Sequence, residues 1–92
     1  MVESAMFVLE LSFGSDSTQR LAARPAHRQR LASLKADGIV VLAGPLTDES
    51  GSLILLDVPD RAAADAVITD DPYYSVDGVE VVSVREWSPL PL

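Results

Sequence analysis

The segment IVVLAGPLTDESGSLILLDV, residues 39–58, is two apolar runs around a polar turn. Ile39 to Ala43 is rich in branched side chains and reads as a strand. Gly44-Pro45 ends or bends it, because proline cannot donate to a ladder. Thr47 to Gly51 is a polar hairpin loop, and Ser52 to Val58 is the returning strand. A hairpin in the middle of a chain does not name an architecture by itself; the segments on either side do.

Upstream, Pro25 to about Asp37 reads as the main helix, with Gly38 suited to its C-terminal cap. Proline is favourable at the first helical position and costs about 3 kcal/mol further in. The sequence therefore predicts a break near Arg24, with Thr18 to Ala23 as a separate, weak helical stretch. Gly14 to Ser17 is a turn able to cap it, and Ala5 to Leu11 (AMFVLEL) is a first strand. Downstream, Asp60 is the N-cap of a second helix whose apolar face carries Ala63, Ala64, Val67 and Ile68. Asp70-Asp71-Pro72 stops that helix, since the residue before proline avoids helical backbone. Val79 to Trp87 is the last strand, and Ser88 to Leu92 is an irregular tail.

The order βαββαβ is the ferredoxin-like split arrangement, an α+β fold. Two helices would lie on one face of a four-stranded antiparallel sheet. The strands alternate poorly between apolar and polar residues. Ala5, Phe7, Leu9 and Leu11 oppose Met6 and Val8; Leu53 and Leu55 oppose Ile54, Leu56 and Val58; Val79 and Val81 oppose Val82 and Val84. A half-exposed antiparallel sheet would alternate cleanly, so both faces read as apolar while the helices cover one. A symmetric dimer, sheet against sheet, hides the other. The competing cover is the C-terminal tail, whose five residues span little area.

The chain of 92 residues suits one domain, 1–92, with one core. Cysteine is absent, which excludes disulfides, thiolate metal ligands and a thiol nucleophile. No segment resembles a signal peptide or a membrane span, and a cytoplasmic location is expected. Seven basic residues against fourteen acidic ones give a net charge of −7, a balance that phosphate backbones repel, so neither nucleic acid nor membrane is an expected partner. Five of the basic residues, Arg20, Arg24, Arg28, Arg30 and Lys35, fall in one short stretch. That stretch is either a solvated helix face or a patch that steers a small anion.

His27 is the single histidine. Placed in the first turn of a helix starting at Pro25, it would share an inward face with Leu31 and Leu34, and the helix dipole would disfavour its charged form. A neutral imidazole is what a general base requires; a packed histidine bonded to a carbonyl is the alternative. Asp71, held extended by Pro72, is able to orient a histidine or simply to end a helix. Tyr73 and Tyr74 are pocket walls or packing. Gly44-Pro45 lets backbone approach a ligand closely, or makes plain hairpin geometry. One histidine with scattered carboxylates lacks metal-ligand spacing, no glycine-rich phosphate loop is present, and no cofactor is expected.

Taken together, Arg24-Pro25-Ala26-His27 with Leu31, Leu34 and Asp37-Gly38, Ala43-Gly44-Pro45, and Asp70-Asp71-Pro72-Tyr73 resemble the YCII-related (YciI-like) family over nearly the whole chain. The resemblance implies a dimeric α+β barrel and an active site of a histidine and an aspartate, here His27 and Asp71. Arg24, the Gly44-Pro45 turn and Tyr73 would border the cleft as substrate-binding residues. One branch of the family eliminates HCl from a chlorinated hydroxyhydroquinone, so the resemblance implies proton-transfer chemistry of lyase or isomerase type on a small anionic or phenolic compound. A non-catalytic small-molecule binding module and a dimeric interaction module are the competing readings.

Overall fold

The computed structural model describes residues 5–92. Seven elements follow in order: β1 (Ala5–Phe13), α1 (Thr18–Ala36), β2 (Val40–Pro45), β3 (Gly51–Val58), α2 (Arg61–Thr69), a 3₁₀ turn (Pro72–Ser75) and β4 (Val79–Trp87). The four strands form one sheet in the order β2-β3-β1-β4, with each neighbouring pair antiparallel. This is the ferredoxin-like α+β arrangement that the βαββαβ pattern predicts.

The core lies between the sheet and the helices. Phe7, Leu9 and Leu11 of β1 and Ile54, Leu56 and Val58 of β3 are buried there, and the register pairs Phe7 with Leu56 and Leu9 with Ile54. Leu34 of α1 and Ala64 and Val67 of α2 close it from above. Alternation puts Met6, Val8, Leu53 and Leu55 on the other face. In β4 a bulge displaces the expected alternation: Leu9 faces Val84 but Leu11 faces Val81, leaving Val82 as the extra residue. Val84 therefore joins Val79 and Val81 against the core, and is not beside Val82 on the open face. The open side of β4 is mixed, with Glu80, Ser83 and Arg85 beside Trp87, and the Arg85 guanidinium lies 4.0 Å from Glu10 of β1. Apolar side chains stay exposed on this side of the sheet: Leu42 of β2 is 66% exposed, Leu53 of β3 40% and Trp87 of β4 46%. The tail does not cover it, since Leu90 and Leu92 are themselves exposed.

Helix α1 corrects the expected break at Pro25. It runs unbroken through the proline for 19 residues. Pro25 lies on the exposed side, as does Leu21, whose carbonyl would have been its partner, so the lost bond falls towards solvent. The opposite side buries Leu34 and His27 and packs Ala23 and Leu31 against the core. Burying a leucine is worth about 1.5–3 kcal/mol, enough for two or three such side chains to offset a proline. At the start, Thr18 N–H donates to Asp16 Oδ1 at 3.0 Å, and this bond holds the Asp16 carboxyl below its ordinary value. At the end, Ile39 N–H reaches the Leu34 carbonyl at 2.9 Å and Gly38 N–H the Lys35 carbonyl at 3.0 Å. That is a Schellman closure, with Gly38 at φ +79° in the left-handed region the motif needs. Helix α2 begins as its sequence predicts, with Asp60 Oδ1 accepting from Ala63 N–H at 2.8 Å.

Candidate active site

Asp71 follows the Asp70 cap of α2 and itself caps the 3₁₀ turn. Its Oδ1 accepts from Tyr73 N–H at 3.0 Å, and its Oδ2 lies 2.7 Å from His27 Nδ1. Both side chains are nearly fully enclosed, at 6% exposure for His27 and 7% for Asp71. An ionised carboxylate only accepts, so the proton of this bond belongs to Nδ1, and the neutral ring then carries its lone pair on Nε2. The turn supplies the rest of the clamp. The Tyr73 ring stacks on the imidazole with centroids 3.8 Å apart, and Tyr74 meets its edge at 5.3 Å and 86°. The carboxylate fixes the direction of the imidazole and the phenol fixes its plane.

His27 sits at the middle of α1, not in a first turn. The helix dipole is felt within the terminal turns, so it does not act on this imidazole; Asp71 sets the tautomer instead. Among the described residues Nε2 has no hydrogen-bond partner, and His27 forms part of the wall of a cavity of about 350 Å³.

That cavity lies between α1 and the β2–β3 hairpin. Arg24, Gly44, Pro45 and Tyr73 all line it. Asp71 does not; it stands behind the imidazole. A Cβ at Gly44 would meet no protein atom within 4 Å, so the space beside it is open to the cavity. Backbone approaches closely at Gly51, where a Cβ would collide with the Leu11 carbonyl. Sequence reading also missed Phe13, Arg20, Arg28, Leu31, Glu49 and Ser52 as wall residues. The i, i+4, i+8 spacing of Arg20, Arg24 and Arg28 was a signal for the two arginines, since such residues share a helix face. It was obscured by the expected break at Pro25, which would have turned Arg20 out of line with Arg28.

Arg20 packs its guanidinium carbon 4.2 Å from the Phe13 ring centroid, and its buried Nε has no partner among the described residues. Tyr74 Oη is likewise buried and unpartnered; burial first, then the Asp71 charge and Tyr73, pushes this hydroxyl well above its ordinary range. Glu49, in the hairpin, has φ +60°. The preceding Asp48 ties that loop by accepting from Ser50 Oγ at 2.6 Å and Ser50 N–H at 3.0 Å, bonds that lower its own pKa. The described residues hold no cluster of three or more histidine or acidic side chains arranged for a metal ion, and no described helix is long and apolar enough to cross a membrane.

Comparison with known proteins agrees with this picture of the fold. No curated protein matches the chain by sequence. In structure it is similar to the 5-chloro-2-hydroxyhydroquinone dehydrochlorinase of Burkholderia phenoliruptrix AC1100, solved in complex with 2,5-dihydroxybenzoquinone, with a TM-score of 0.75 and 22% identity over 90% of this chain and 93% of that one. The profile of the YCII-related domain matches residues 6–88, nearly the whole described chain, and the protein belongs to the YCII-related family.

Proposed function

We propose that the protein is a small-molecule enzyme of lyase or isomerase type in which His27 moves a proton and Asp71 holds it ready. The observation that carries this reading is the 2.7 Å contact between His27 Nδ1 and Asp71 Oδ2, on an imidazole that borders an open cavity. His27 Nε2 takes a proton from an acidic carbon or hydroxyl of the substrate. The imidazolium formed donates through Nδ1 to the carboxylate, which offsets its charge. The electron pair left on the substrate forms a new π bond and either expels a leaving group or is reprotonated at another atom. General base catalysis of this kind contributes about 10²–10⁴-fold. Arg24, the Gly44-Pro45 wall and Tyr73 bind the substrate, and the Tyr73 ring also holds the imidazole by its face.

The fold shared with a dehydrochlorinase makes chlorinated hydroxyhydroquinones the first substrates to try. Turnover of such a panel should fall at least 100-fold in His27→Asn, with the fold retained by circular dichroism. Equal turnover in wild type and His27→Asn would end the proposal. Binding without turnover in both would leave a ligand-binding module.

A second copy of the chain belongs on the open face of the sheet. Leu42, Leu53 and Trp87 there are exposed apolar side chains that a partner sheet would cover.

A further inference from the structure

Among the described residues three basic side chains line the cavity against one carboxylate, Glu49. This is the reverse of the whole molecule, whose net charge is −7. Among the described residues none of Arg20, Arg24 and Arg28 forms a salt bridge. They rise along α1 at four-residue intervals, so successive Cα atoms are about 6 Å apart along the axis. The lowest of them is pre-positioned. Arg20 packs on Phe13, and its Nε is buried without an acceptor. A buried donor is costly to leave unmade, and a ligand oxygen would complete it. The wall between them is apolar, from Phe13, Leu31 and Pro45, with the Tyr73–His27 stack beside it.

From this we infer that the cavity selects a flat ring bearing two anionic groups on opposite sides, which successive arginines of α1 hold while the ring lies against the apolar wall. The inference deepens the proton-transfer reading and rests on the same cavity being the ligand site. Arg20 and Arg24 are the successive pair that sets this selectivity, through charge-assisted bonds to carboxylate or enolate oxygens. Para-substituted carboxylates on a six-membered ring span about one helical turn, the interval between successive arginines.

The test is the affinity of three probes that carry none, one and two carboxylates on the same hydroquinone ring: hydroquinone, 2,5-dihydroxybenzoate and 2,5-dihydroxyterephthalate. Calorimetric titration of the intact protein at low salt should give a ladder in which each added carboxylate tightens binding about tenfold, and the steps should shrink as salt rises. Arg24→Gln and Arg20→Gln should each remove about one step for the terephthalate and cost hydroquinone much less. Both side chains are only half-buried, so their loss leaves the core in place. Equal affinity for the three probes, or a terephthalate affinity indifferent to both substitutions, would overturn the inference. His27→Asn separates the two readings. A charge ladder without His27-dependent turnover would sink the proton-transfer reading alone, and His27-dependent turnover without a ladder would sink this one alone.

Discussion

The imidazole of His27 and the phenol ring of Tyr73 are parallel to within 6°, with their centroids 3.8 Å apart. The residue two before Tyr73 is Asp71, which holds the edge of the same imidazole. One short turn thus restrains the ring in two perpendicular ways, and that turn is itself set by Asp71 accepting from Tyr73 N–H. The histidine of one helix is oriented only when the Pro72–Ser75 turn is docked on it.

Asp71→Asn should break this arrangement without unfolding the chain. The amide keeps an acceptor but loses the charge and one of two strong bonds. A loss of about 1–3 kcal/mol in urea unfolding is expected. Nitrogen NMR of His27 should then show a mixture of tautomers in place of Nδ1–H alone. A double-mutant cycle with His27→Asn should give a coupling of about 1 kcal/mol or more. Additive effects would mean that the two side chains do not act as a pair.

Tyr74→Phe should be neutral or stabilising by up to about 1 kcal/mol, because it removes a buried hydroxyl that has no partner. The pH dependence follows from the direction of the shift. Burial raises the pKa of this phenol from its ordinary 10.0, so the fold favours its neutral form. The corresponding stability is intact below about pH 10 and is lost as pH climbs towards the raised value. Wild type should therefore lose stability more steeply than Tyr74→Phe between pH 9 and pH 11 in urea titrations.

Gly51→Ala should cost more than about 2 kcal/mol, since the new methyl would drive into the Leu11 carbonyl on the neighbouring strand. Gly44→Ala, with open space around it, should change stability by less than about 0.5 kcal/mol. Thermal melts of the two variants give the comparison directly.

Much of the fold and part of the site were legible because the signals were local. Asp60 as a cap, Gly38 as a helix end and Val79 to Trp87 as a strand each depend on a few adjacent residues. His27 and Asp71 stand 44 positions apart, and the family pattern drew attention to them; their contact could not be read from spacing. Three features lay beyond local signals. The bulge at Val82 depends on register against β1. The tightness at Gly51 depends on the carbonyl of Leu11. The continuity of α1 through Pro25 depends on burial of a face that includes His27 and Leu34. In each case a tertiary contact outweighed a local preference.

Pro25→Ala measures that last override. The substitution restores an N–H for the Leu21 carbonyl and removes the ring's clash with the preceding turn. Against this, the freed chain gains entropy when unfolded, worth about 0.4–1 kcal/mol. A net stabilisation of about 1–2 kcal/mol is expected by urea unfolding. Destabilisation would mean that the helix has adapted to the proline and that a bend there helps to seat His27.

Leu53→Asp bears on the open face, and its outcome separates assembly from folding. Leu53 lies 40% exposed opposite Glu10 in the register, so in a lone subunit a carboxylate at this position meets solvent and costs little, under about 0.5 kcal/mol beyond the like-charge pairing across the strands. Between two packed sheets the same carboxylate would be buried twice by symmetry, without a cation to pair with, at a cost of several kcal/mol. Sedimentation equilibrium should show wild type as a dimer and Leu53→Asp as a folded monomer of half the mass. A wild-type monomer that melts cooperatively at micromolar concentration would show that the exposed leucines and Trp87 are tolerated without a partner, and the sheet-to-sheet assembly would have to be given up.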